Sequence, residues 1–152
     1  MLQKKTHIIL LLLIAFNCFS GNPAIHGNWK GFLIGKNMDA DNKDGLPVTL
    51  SIIDDNDQGD LVGEMTAQYR YQTDIYKAKW SISGNIDYYN YTIYLQQGNF
   101  VYYDLLPKGL QWCSGYGNLN IYRSTYMKKI YMDGSMYTNC GQDQLRLILV
   151  KE

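Results

Sequence analysis

The sequence predicts an all-β fold, a single eight-stranded antiparallel up-and-down barrel, with a β-sandwich as the alternative. Three observations predict it. From residue 27 onward, runs of about eight to ten residues alternate apolar with polar side chains; the breaks between them are rich in Gly, Asn and Asp; and no stretch carries the 3.6-residue apolar period of a helix. Eight strands joined mostly by short turns leave open edges unless the sheet closes, and an up-and-down barrel closes it.

The expected strands are 27–36, 47–53, 61–71, 76–86, 89–97, 117–124, 128–137 and 143–151. The fourth is the clearest. Tyr76, Ala78, Trp80, Ile82 and Ile86 fall on one face and Lys77, Lys79, Ser81, Ser83 and Asn85 on the other, the signature of a strand with one wet face. Asp54-Asp55-Asn56-Asp57-Gln58-Gly59-Asp60 and Asn139-Cys140-Gly141 have hairpin chemistry. Residues 104–114, with Leu105, Leu106, Pro107, Lys108 and Gly109, form the longest interruption, a lid or short helical turn held at its far end by Cys113. Gly115-Tyr116-Gly117 lacks the strand-before, helix-after setting of a phosphate loop and reads as a turn. Eight strands enclose an interior that either fills with side chains or holds one small ligand.

The first twenty residues run from Lys4 and Lys5 through apolar Ile8 to Phe16 to small residues at Cys18 and Ser20, the pattern of a secretory signal peptide cut before Gly21. Cys18 also permits a lipoprotein reading in which its sulfur is acylated. Residues 21–152 then form one domain, exported to the periplasm or the extracellular space. In an oxidising compartment the two remaining cysteines, Cys113 and Cys140, tend to pair as a disulfide. Lys and Arg together number 14, as do Asp and Glu, so the chain has no basic footprint for nucleic acid. No apolar run after the leader is long enough for a transmembrane helix.

Gly27-Asn28-Trp29-Lys30-Gly31, a G-x-W-x-G opening a β-meander, resembles the first-strand signature of the calycins, the lipocalin and avidin type of barrel. The resemblance implies a lipocalin-like barrel in which Trp29 plugs the closed end and a basic residue of a late strand packs across it; Arg146 is the matching candidate. With Trp112-Cys113 and Asn139-Cys140, the chain also resembles small uncharacterised envelope-associated domains of bacteria. The lipocalin C-terminal helix and the avidin biotin pocket have no counterpart, so no ligand class is implied.

Chemistry is sparse. Once the leader is removed His26 is the only imidazole, and no nucleophile elbow, metal-binding His/Cys spacing or cofactor motif occurs. Cys113 as a nucleophile would lack a base. Asp39, Asp41 and Asp44, and Asp54, Asn56 and Asp60, have oxygen ligands for calcium but in the wrong registers: Lys43 and Met65 stand where ligands belong. Glu64, Asp87 and Asp133 are the carboxylates that a carboxylate-only hydrolase would draw on. Asn90-Tyr91-Thr92 matches a glycosylation sequon.

Fourteen tyrosines and three tryptophans are many for this length. Tyr94, Tyr122, Tyr131 and Tyr137 fall opposite the aliphatic positions of their strands and form an expected outward band. Tyr69, Tyr71 and Trp80 share a face with Met65, Ala67 and Ile82 and, with Trp29, are the expected ligand-binding residues. The reading is a non-enzymatic exported barrel for a small apolar or amphipathic ligand, or for a protein or glycan partner in the envelope. Its alternatives are the carboxylate hydrolase and an eight-stranded outer-membrane barrel, against which the last strand, apolar on both faces and ending in Lys151-Glu152, argues.

Overall fold

A computed structural model of the chain describes residues 25–35, 42, 44–55, 59–141 and 144–152, with 54 and 55 described by their backbone only. The expected leader, Cys18, Asp39, Asp41, Lys43 and Asn56 lie outside these residues. Eight strands follow in order: β1 (Gly27–Ile34), β2 (Leu46–Asp55), β3 (Asp60–Tyr71), β4 (Asp74–Asp87), β5 (Thr92–Tyr103), β6 (Gly115–Arg123), β7 (Ile130–Thr138) and β8 (Gln144–Lys151). Each pairs with its sequence neighbours, and β1 also pairs antiparallel with β8, from Trp29 opposite Lys151 to Ile34 opposite Arg146. The first and last strands therefore share one ladder, the sheet closes into a barrel, and the sandwich alternative falls. Among the described residues no helix is long and apolar enough to cross a membrane.

The alternation seen in the sequence becomes inside and outside. Val48, Leu50 and Ile52 of β2, Leu61, Met65 and Ala67 of β3, Ala78, Trp80, Ile82 and Ile86 of β4, and Leu147 and Leu149 of β8 are buried in a single core. The opposite faces of β3 and β4 carry Glu64, Thr66 and Gln68 beside Lys79, Ser81 and Ser83, with Lys79 Nζ donating to Glu64 Oε2 at 3.0 Å. On this stretch of β3 and β4 the outer face is polar, the reverse of the alternation in a transmembrane barrel. The β1–β2 connection is tied down by Asn42, the one buried polar residue among those described; its amide donates to the Arg70 carbonyl and its carbonyl accepts from the Arg70 N–H.

Glycine marks where strands press together. At Gly31 in β1 an added Cβ would overlap the Ile148 carbonyl of β8, so the ladder that closes the barrel tolerates only hydrogen there. The same reason corrects the reading of Gly115-Tyr116-Gly117 as a turn. These residues begin β6, and a Cβ on Gly117 would strike the Ser135 carbonyl and the Met136 sulfur of β7. β5 also extends past the expected end at 97, to Tyr103. Gly31→Ala should destabilise the protein by about 2 kcal/mol or more, the scale of a forced backbone shift in a packed core; urea unfolding monitored by tryptophan fluorescence checks it.

Candidate functional site

The two ends of the barrel differ. At one, the start of β1 and the end of β8 meet around Trp29, which is fully buried and donates its Nε1–H to the Ile25 carbonyl at 2.9 Å. Ile25, Ile52, Leu61, Ile86, Ile93, Leu119, Met132 and Leu149 belong with it to the one buried core. The basic residue over the indole is Lys151, whose Nζ lies 5.8 Å from the ring centroid, within cation–π range. This corrects the assignment of Arg146. Residues opposite each other in a ladder share a face, so Lys151, opposite Trp29, faces inward, whereas Arg146 points outward and clasps Asp133 through Nε at 2.9 Å and Nη2 at 2.6 Å. A strand apolar on both faces gave the sequence no means of telling which was which.

The other end is hollow. A cavity of about 330 Å³ lies among the end of β1, the start of β2, the later part of β3, Trp80 of β4, Gln97 of β5, the loop after β5, the start of β6, the end of β7 and the start of β8. Its wall is apolar, with Leu33, Val48, Met65, Ala67, Met136 and Leu145 from the strands and Leu106, Leu110 and Trp112 from the loop. Of the residues expected to bind ligand, Tyr69 and Trp80 line it; Trp29 and Tyr71 are not among the described residues that do. Trp29 belongs to the plug. Tyr71 lies beyond the rim, because β2 pairs with β3 only as far as Ala67 and the remaining β3–β4 hairpin projects past the wall, leaving Tyr71 exposed.

Residues 104–114 cover this end. Asp104 anchors the base of the loop: its N–H donates to the Lys77 carbonyl and its Oδ2 accepts from the Lys77 N–H. Trp112 Nε1–H donates back to the Asp104 carbonyl at 2.8 Å, and its ring meets that of Trp80 edge-on with centroids 5.9 Å apart. The far end is fixed by the Cys113–Cys140 disulfide, both halves of which line the cavity, and by reciprocal bonds between Ser114 and Asn139. Beneath the loop the wall is incomplete. β6 pairs with β5 only over Thr92–Gln96, so β5 from residue 97 onward has β4 as its sole strand neighbour. The β4–β5 register also shifts on both sides of Trp80, a bulge of the kind that re-aims a side chain.

Trp112, Leu106, Leu110 and Gln97 were missed as lining residues. A signal existed, since Leu105-Leu106 and Leu110-Gln111-Trp112 place apolar side chains in a loop where a purely solvated connection would have none. Gln97 stands on the inward face of β5 after Ile93 and Leu95, and its amide donates to the Met65 sulfur.

The carboxylates are occupied elsewhere. Glu64 pairs with Lys79 and Asp133 with Arg146, both on the outer surface. Asp87 caps the β4–β5 turn; the Asn90 side-chain amide, then the Asn90 and Tyr89 backbone N–H groups, hold its carboxyl below the usual range. The stabilisation this gives is present above the ordinary carboxylate pKa and is lost as pH falls through the lowered one, the behaviour of a turn cap. None of the three lines the cavity, and the described residues contain no cluster of three metal-ligating side chains. Outside the barrel, Tyr94, Tyr116 and Tyr137 follow one another across β5, β6 and β7 with centroids 6.4 and 5.7 Å apart, while Tyr122 and Tyr131 stack separately.

Comparison with known protein families, curated proteins and solved structures returns no match.

The disulfide closes a span of 27 residues. Replacing Cys113 and Cys140 together by Ser should lower unfolding free energy by about 3–4 kcal/mol on the chain-entropy account, which paired urea titrations of oxidised wild type and variant would measure.

Proposed function

We propose that this chain is an exported, non-enzymatic binding protein, a calycin-like barrel that carries a small apolar or amphipathic molecule at the end opposite Trp29. The observation that carries the reading is the apolar cavity of about 330 Å³, a size at the lower end of small-molecule pockets, which run from about 300 to 1,000 Å³. Its placement supports the same reading. Trp29 and its buried neighbours close the opposite end, the cover is a loop instead of paired strands, and beyond Gln96 the edge of β5 that β6 leaves unpaired gives a side of the wall where a ligand would pass without breaking a ladder. The polar outer face of β3 and β4 favours this reading over the outer-membrane barrel, and the outward Glu64 and Asp133 favour it over the hydrolase.

A second reading, a glycan or protein partner, draws on Tyr94, Tyr116 and Tyr137, whose exposed rings present an aromatic surface with hydroxyl edges.

Protein produced by export and purified without detergent should retain or take up molecules from a lipid and metabolite panel in native mass spectrometry. Ala67→Phe, which projects a ring into the cavity, should abolish that uptake while shifting Tm by no more than a few degrees, since the new side chain fills space instead of displacing neighbours. Absence of any retained or exchangeable molecule from the wild-type protein sinks the carrier reading.

A further inference from the structure

The three indoles are not equivalent. Trp29 Nε1–H has the Ile25 carbonyl and Trp112 Nε1–H has the Asp104 carbonyl. Trp80 Nε1 has no acceptor, and it is the one buried side-chain nitrogen or oxygen among the described residues of which this holds. Trp80 is 2% exposed and lines the cavity. The rings that touch it, Phe100 at 5.2 Å and Trp112 at 5.9 Å between centroids, offer no oxygen or nitrogen acceptor of their own, only π systems, which are weak acceptors. A buried donor left without a partner is destabilising, so a bulged stretch of wall that keeps an indole there calls for a partner to meet it.

The rest of the lining limits what that partner is. Among the described lining residues there is no Asp, Glu, Lys, Arg or His; the polar side chains besides Trp80 are the neutral Tyr69, Gln97, Gln111 and Thr138, and the Gln97 amide has one N–H on the soft Met65 sulfur. A charged group would lose its water here without a counter-charge. The volume, at somewhat under the ~30 Å³ that a water occupies in the liquid, admits on the order of ten to fifteen non-hydrogen atoms.

We infer that the cavity selects an uncharged molecule with an apolar body and one acceptor oxygen, a ketone, ester or ether, which receives the Trp80 Nε1–H. The inference rests on the carrier reading and adds the ligand's chemical class and the residue that recognises it.

Three probes of one shape separate the possibilities: 4-phenyl-2-butanone with a carbonyl, isopentylbenzene with a methine in its place, and 3-phenylpropionate with an ionised carboxylate. Binding is measured by calorimetry or by ligand-detected NMR. Trp80→Phe keeps an aromatic ring and removes the N–H; it should weaken the ketone about five- to tenfold, the equivalent of one net hydrogen bond of about 1 kcal/mol, and leave isopentylbenzene within about twofold. The carboxylate should bind more weakly than the ketone to the wild-type protein. A second measurement needs no variant. In ¹⁵N-labelled wild-type protein the Trp80 indole N–H resonance should move downfield with the ketone and not with the hydrocarbon, while those of Trp29 and Trp112, already bonded, serve as internal references. Equal weakening of both neutral probes by Trp80→Phe, or an indole resonance that responds alike to both, overturns the assignment of Trp80 and leaves the cavity as a carrier site. If none of the three probes binds the wild-type protein, the carrier reading falls and this inference falls with it.

Discussion

Everything in this fold depends on the ladder between β1 and β8. Until that ladder forms, the meander has two raw edges and no inside; once it forms, every inward position faces every other. The approach is close enough that Gly31 lies against the Ile148 carbonyl with no room for a methyl group. Glycines at Gly63, Gly117 and Gly134 meet neighbouring carbonyls in the same way. Tight coiling of a small barrel and the siting of these glycines are one constraint seen twice: strands bend where a side chain would prevent contact.

Closure fixes the perimeter but not the filling, and the two ends fill it differently. Near Trp29 the inward positions are large, and Ile25 folds under the indole to complete the seal. Toward the other end Ala67, Ala78, Val48 and Gly115 supply little volume, and β5 parts from β6 after Gln96. Space is left that strands alone do not occupy. The chain covers it with an eleven-residue loop that turns Leu106, Leu110 and Trp112 to the cavity and fastens that loop covalently to the β7–β8 turn. A hollow under a pinned cover is the outcome of where the small residues fall.

Much of this was legible beforehand, for reasons that differ by element. β3 and β4 read clearly because each has one wet face, so period-two alternation specifies both strand and orientation. β8 read as a strand but not as a face, since Leu145 to Val150 is apolar throughout; the choice between Arg146 and Lys151 beside Trp29 needed the register. Gly115 to Gly117 reads as a turn in the sequence because glycine has two uses, reversal and close approach, and composition does not distinguish them. Tyr71 shares a face with Tyr69, yet lies outside the cavity because parity says nothing of how far a hairpin overshoots the rim. The missing acceptor of Trp80 is a property of three-dimensional neighbours and has no trace in the order of residues.

The pairing of Trp29 with Lys151 also settles a matter of orientation. The free ends of the first and last strands emerge side by side at the sealed pole, on the far side from the lid. Any tether, fusion partner or surface joined to either end is thus held at the base, and the mouth is presented outward like a cup on its stem.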